Sequence, residues 1–194
     1  MIEVRQTAIF RTWLSDLRDA VAVKAIKQRI VRIQTGLFGD AKSVGEGVFE
    51  LRVDHGPGYR VYFARRGATL VLLLCGGAKG SQARDISRQG IAKCLDGVNE
   101  VTLKTYPFDA ADALDTPQAQ ADLLAEAFAS GDAEIVTAAL RIIARARGVA
   151  QVARETGLSR EAIYKATGSE GNPTLATLLS ILRVTGLKLS ASVR

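Results

Sequence analysis

The sequence predicts two unlike domains in succession. The first is an α+β domain with two helices packed on an antiparallel sheet, and the second is an all-α domain containing a helix-turn-helix. Three observations predict this. Up to Cys75 the apolar residues alternate or run as strands do around two helical stripes, whereas from Thr116 onward only helical spacing occurs. Leu95 to Tyr106 has no sustained period and holds Asp96-Gly97 and Asn99, residues that suit turns. The 194 residues also suffice for two domains of about 100 residues each. The expected boundaries are 1–96, a linker at 97–104, and 105–194.

Ile2 to Thr7 alternates as a half-buried strand, and Ile9, Phe10, Trp13, Leu14 and Leu17 follow at helical spacing. Val21, Ala25, Ile26, Ile30 and Ile33 form a second helical stripe, which Gly36 ends because glycine adopts the left-handed cap conformation. Val48 to Val53, Gly58 to Arg65 and Thr69 to Cys75 read as strands, with turns at Gly56-Pro57-Gly58 and Arg66-Gly67-Ala68. In the second half, Pro117 suits a first helical turn after Thr116, Gly131 stops that helix, and Asp132 caps another that runs to about Arg147.

Composition excludes several classes. The longest strongly apolar run, Leu70 to Cys75, is far short of the roughly 20 residues that span a bilayer, so no membrane partner is expected. The N-terminus lacks a signal layout, and a cytoplasmic protein is expected. Cys75, Cys94 and the single His55 have no metal-ligand spacing, so no metal and no cofactor is expected. The Gly76-Gly77-Ala78-Lys79-Gly80 loop lacks P-loop spacing. His55 is a weak general-base candidate with no acid paired to it by spacing.

The net charge of +6 belongs wholly to residues 1–100; residues 101–131 hold Lys104 against five carboxylates, and the remainder is again basic. Basic, acidic, basic is the order expected of two polyanion-binding domains joined by a segment able to cover one of them. Solvated surface charge explains it equally well. Asp109, Asp112 and Asp115 head this acidic arm and are the candidate residues for covering the basic first domain. They lack the glycine and terminal glutamate of a calcium loop.

Two sites carry candidate chemistry. Gly148 to Thr156 and Arg160 to Thr167 form short helices around Gly157-Leu158-Ser159, with Val152, Ala153, Leu158 and Ile163 as their contacts. In a helix-turn-helix the second helix enters the major groove, presenting Ser159, Arg160, Glu161 and Tyr164 to bases with Lys165 near phosphates. An ordinary helix hairpin has the same spacing. In the first half, Arg52 and Arg60 on neighbouring strands, with Lys79 of the glycine-rich loop, form a cationic patch suited to stabilising charge at a phosphate attacked by a 2′-hydroxyl. Tyr59 or Tyr62 would stack a base. The alternative is a solvated basic sheet face.

Phe108-Asp-Ala-Ala, Leu114-Asp-Thr-Pro, Ala144-Arg-Ala-Arg-Gly, Glu155-Thr-Gly-Leu-Ser-Arg-Glu, Tyr164-Lys and Glu170-Gly-Asn-Pro-Thr resemble the addiction-module antidote family over residues 104–192. The resemblance implies a lambda-repressor-like domain that dimerises, binds operator DNA and represses its own operon. Leu187 to Val193 would add a terminal strand at the dimer contact. Gly39-Asp-Ala-Lys, Gly45-Glu-Gly-Val, Glu50-Leu-Arg, Gly56-Pro-Gly-Tyr-Arg-Val-Tyr, Leu74-Cys-Gly-Gly and Gln82 with Asp85-Ile86 resemble the RelE/ParE addiction-module killers from about Ile2 to Leu95. That resemblance implies a RelE-like fold and metal-independent cleavage of messenger RNA on the ribosome. It marks Arg52, Arg60, Lys79 and Tyr59 as catalytic and Lys42 and Gln82 as RNA-binding positions. Ala78 stands where those killers usually carry an acidic residue. Together the resemblances imply a single-chain toxin–antitoxin fusion whose killer half the antidote half inhibits. Its rivals are a repressor with an inactive toxin domain and a gyrase poison with its antidote.

Overall fold

The computed structural model describes residues 2–45, 47–81, 104–110, 113–168 and 170–190. The chain divides into one unit of residues 2–33 with 38–108 and another of residues 109–194 with 34–37. Gln82, Asp85-Ile86, Cys94, Asp112, residues 97–103 of the expected linker, and the end of the expected terminal strand lie outside the described residues.

The first unit begins with β1 (Glu3–Thr7), α1 (Ala8–Asp16) and α2 (Ala20–Thr35). Thr7 ends the strand and starts the helix at once. Its hydroxyl donates to the Leu74 carbonyl at 2.6 Å and accepts from the Phe10 N–H at 3.1 Å, which supplies an otherwise unpaired helix N–H with a partner. Asp19 caps α2 in the same manner, accepting from the N–H groups of Val21 and Ala22, both at 3.0 Å. Four strands follow: β2 (Lys42–Gly45), β3 (Val48–Val53), β4 (Tyr59–Arg66) and β5 (Leu70–Ala78). A 3-10 turn, Lys79–Ser81, comes next, and β6 (Thr105–Pro107) completes a sheet of order β2-β3-β4-β5-β1-β6.

The expected antiparallel sheet is corrected here, because β1 pairs with β5 in parallel. The two helices after β1 carry the chain away from its edge, so its neighbour is a strand from much later in the sequence rather than the partner of a tight hairpin. A second correction concerns the glycine-rich loop: Gly76 to Ala78 belong to β5. A Cβ on Gly76 would lie 2.3 to 2.4 Å from the Trp13 ring, so the bare Cα is what lets α1 lie on the strand. Val61 is paired with Gly76 and Leu51 with Val61, which puts these residues on the α1 side of the sheet. The opposite face carries the cluster Val48, Tyr62, Ala64, Leu72 and Leu74. With both faces of β4 buried, its first six residues read as an almost unbroken apolar run.

The second unit is helical among its described residues. Thr116 caps α3 (Pro117–Ser130), with Pro117 in the first turn where no N–H is needed. Asp132 caps α4 (Ala133–Arg147), accepting from the Glu134 N–H at 2.8 Å. There follow α5 (Val149–Thr156), α6 (Arg160–Ala166) and α7 (Leu175–Thr185). Leu123, Leu140, Ile143, Val152, Ile163 and Ile181, one or more from each helix, are buried. The described part of the expected terminal strand, Leu187 to Ser190, has no regular structure.

Candidate functional site

The pair of short helices α5 and α6 and the turn between them are built from local signals. Thr156 at the end of α5 bonds its hydroxyl to the Val152 carbonyl at 2.7 Å, and Gly157 then takes φ +74°, the left-handed conformation that reverses the chain without a Cβ clash. Ser159 is extended and its hydroxyl accepts from the Ala162 N–H at 3.0 Å, which starts α6. Ile163 is buried on the inner side of α6. Ser159, Arg160, Glu161, Tyr164 and Lys165 are all exposed, and Tyr164 keeps half its surface open to solvent. Positions 160, 161, 164 and 165 share one side of a helix of 3.6 residues per turn, so the predicted groups lie together on one face. That face mixes two cations, a carboxylate and a phenol, groups able to meet both phosphates and base edges.

The first unit brings together only part of its predicted set. Arg52 and Arg60 are directly paired across β3 and β4, and therefore share a face as expected. Between them sits Glu50, whose role the sequence reading missed. Its Oε1 lies 3.0 Å from Arg52 Nε and 3.3 Å from Arg60 Nε, and its side chain is only 3% exposed. The Arg60 side chain is 7% exposed and Arg52 about one-third. The hydrogen bond that Arg52 donates to Glu50, with added attraction from Glu50, Asp40 and Asp54, raises the Arg52 guanidinium pKa above its ordinary value against a smaller desolvation effect. Spacing held the clue, since Glu50 and Arg52 are two apart on one strand.

Tyr59 is paired with Val53 and lies two residues from Val61, so it belongs to the α1 side, away from the two arginines. Tyr59 and Tyr62 are both buried, and neither offers an open ring for base stacking. Lys42 is exposed at the start of β2, opposite Glu50 in register. Lys79 is exposed in the 3-10 turn, its N–H bonded to the Gly58 carbonyl at 2.9 Å. His55, for which spacing offered no acid, has its Nε2 3.6 Å from Asp19 Oδ2. In the acidic arm, Asp109 lies 3.6 Å from Arg145 of α4 and Asp115 is exposed. Among the described residues there is no cluster of three metal-ligating side chains, and no helix is long and apolar enough to cross a membrane.

Comparison with known proteins adds an identity for the second region. Residues 104–193 match the family described as "Probable addiction module antidote protein". Two relatives are proteins of Haemophilus influenzae (strain ATCC 51907 / DSM 11121 / KW20 / Rd), each described as an uncharacterized protein. One is 49% identical over 87 residues, which are 45% of this chain and 88% of the relative. The other is 38% identical over 88 residues, 45% of this chain and 91% of the relative. Each relative is thus little longer than the matched region itself. No solved structure matches the chain significantly. Through residues 104–193, the chain belongs to the family of probable addiction module antidote proteins.

Proposed function

We propose that the chain is a toxin–antidote pair in one polypeptide. The antidote region binds operator DNA through α6, represses its own operon, and restrains a RelE/ParE-type N-terminal unit acting on messenger RNA at the ribosome. The observation that carries the reading is the exposed face of Ser159, Arg160, Glu161, Tyr164 and Lys165 on a capped helix within an antidote-family region. Two copies would bind two half-sites one helical turn apart, and Leu175 and Leu179, exposed on α7, are candidate contacts for that pairing.

For the N-terminal unit, the proposed chemistry places Arg52, Arg60 and Lys79 around a scissile phosphate, where their charge would stabilise the developing negative charge. Glu50 competes with that phosphate for both arginines. This ion-pair cluster, with Tyr59 on the far face, favours a second reading: a repressor whose toxin-type unit is silent.

Binding of the full chain to duplex DNA from upstream of its own reading frame, followed by fluorescence anisotropy, tests the first part. Arg160→Ala and Tyr164→Ala should each weaken binding about 10- to 100-fold with unchanged circular dichroism, as expected for the loss of a base contact. Full binding by both variants would sink the proposal. Expression of residues 1–96 alone separates the two readings: growth arrest with messenger cleavage supports the toxin, and a harmless product supports the silent unit.

A further inference from the structure

Arg60 carries a guanidinium taken almost wholly out of water, its side chain only 7% exposed. A cation so placed is ordinarily held by hydrogen bonds to its planar fork as well as by opposite charge. Here the Nε–H of Arg60 is buried and donates to no acceptor, for Glu50 Oε1 stands 3.3 Å away but out of hydrogen-bonding line. The same oxygen accepts from Arg52 Nε at 3.0 Å. One carboxylate oxygen is thus divided between two cations, and it serves the more exposed of them as an acceptor. Asp40 and Asp54 also attract Arg52. Lys42 stands opposite Glu50 in the pairing of β2 with β3, which makes three cations around this carboxylate. On its other side Arg60 is paired with Gly77 of β5, which places no side chain beside it.

We propose that Glu50 is the gate of an oxyanion site: its carboxylate holds the place between Arg52 and Arg60 that a phosphate group takes when Glu50 turns away. The ligand's chemistry follows from the cluster. A tetrahedral oxyanion brings several acceptor oxygens, so it can serve both Nε–H groups at once, which the single carboxylate oxygen does not. Three cations around one carboxylate leave positive charge for an anion, and Lys42 offers Glu50 a second partner as it yields. Entry is past Arg52, whose side chain is about one-third exposed. The group bound is a phosphate, whether in the backbone of a nucleic acid or as the free ion. Gating rests on the reading of the two arginines as phosphate-facing, and adds that Glu50 decides when they are free to bind.

The test titrates inorganic phosphate into the full chain and into its Glu50→Gln variant, which keeps the shape of the side chain and removes its charge. Phosphate should bind Glu50→Gln about tenfold more tightly than the unaltered chain, and adding Arg60→Met should abolish that gain. The Arg60 Nε–H resonance should move saturably along the same titration, which a merely structural role of Glu50 would not produce. Equal phosphate affinity in the two chains, or a gain indifferent to Arg60→Met, would overturn the proposal. Should Glu50→Gln not fold, Glu50→Asp keeps the charge but draws it back by one methylene, and a several-fold gain in phosphate affinity is expected; no gain refutes the gate. A short 2′-O-methyl oligoribonucleotide, whose blocked 2′-oxygens prevent cleavage, separates the two sources. Its binding to Glu50→Gln and displacement by phosphate assign the site to a nucleic-acid backbone, and phosphate bound where the oligonucleotide is not assigns the free ion. If phosphate binds as expected while residues 1–96 prove harmless in cells, the gate stands and the toxin reading falls. Growth arrest by residues 1–96 with no gain of phosphate binding sinks the gate and leaves the toxin.

Discussion

Glu50 is the residue on which the charged end of the first sheet depends. A carboxylate removed from water beside two guanidinium groups is tolerated because each charge offsets the desolvation of the others, and loss of one partner leaves the rest uncompensated. Glu50→Ala should therefore destabilise the chain by about 3 kcal/mol in urea unfolding, with Arg60→Met in the same chain recovering part of it. No recovery would show that Arg60 is not the group left stranded. Gly76 is a test of packing instead of charge. Gly76→Ala should cost about 1 to 3 kcal/mol by driving a methyl group into the Trp13 ring, and Trp13→Leu should relieve it. The pairing of Arg52 with Arg60 was legible from alternation along two strands. The side chosen by Tyr59 was not, because its neighbours Gly58 and Arg60 give no apolar pattern from which to read the buried face.

At the scale of elements, those with a signal at each end were the readable ones. Gly157 and Ser159 define the turn between α5 and α6 from both sides, and Asp132 and Gly148 bracket α4. Ser159→Ala removes the cap of α6 and should lower stability by about 1 kcal/mol, read as a fall in melting temperature. An unchanged melt would mean that packing of Ile163 alone holds the helix. The parallel pairing of β1 with β5 left no trace in the sequence, since it joins residues nearly 70 positions apart and no hairpin turn connects the two strands directly. Likewise β6 has only three residues, too few to establish a period, so Leu95 to Tyr106 reads as linker although its last two residues lie in a strand.

Over the whole molecule, the division of charge bears on what each unit meets. The cations of α6 lie in a region that is itself basic from residue 132 onward, so the proposed operator binding should weaken steeply with salt as condensed counterions are released. A log-log plot of affinity against salt should have a clear negative slope, and Lys165→Ala should reduce its magnitude by about one. A flat plot would argue that no phosphates are engaged. The short strand β6, laid on β1, has a bearing on solubility as well. A long bare strand at the rim of a sheet is a template on which other chains can stack. Here the rim is only three residues long, Lys104 precedes it, and Pro107 offers no N–H to an incoming strand. A chain deprived of this short strand would present the whole length of β1 instead, and would turn from a self-contained molecule into one that recruits its own copies into aggregates.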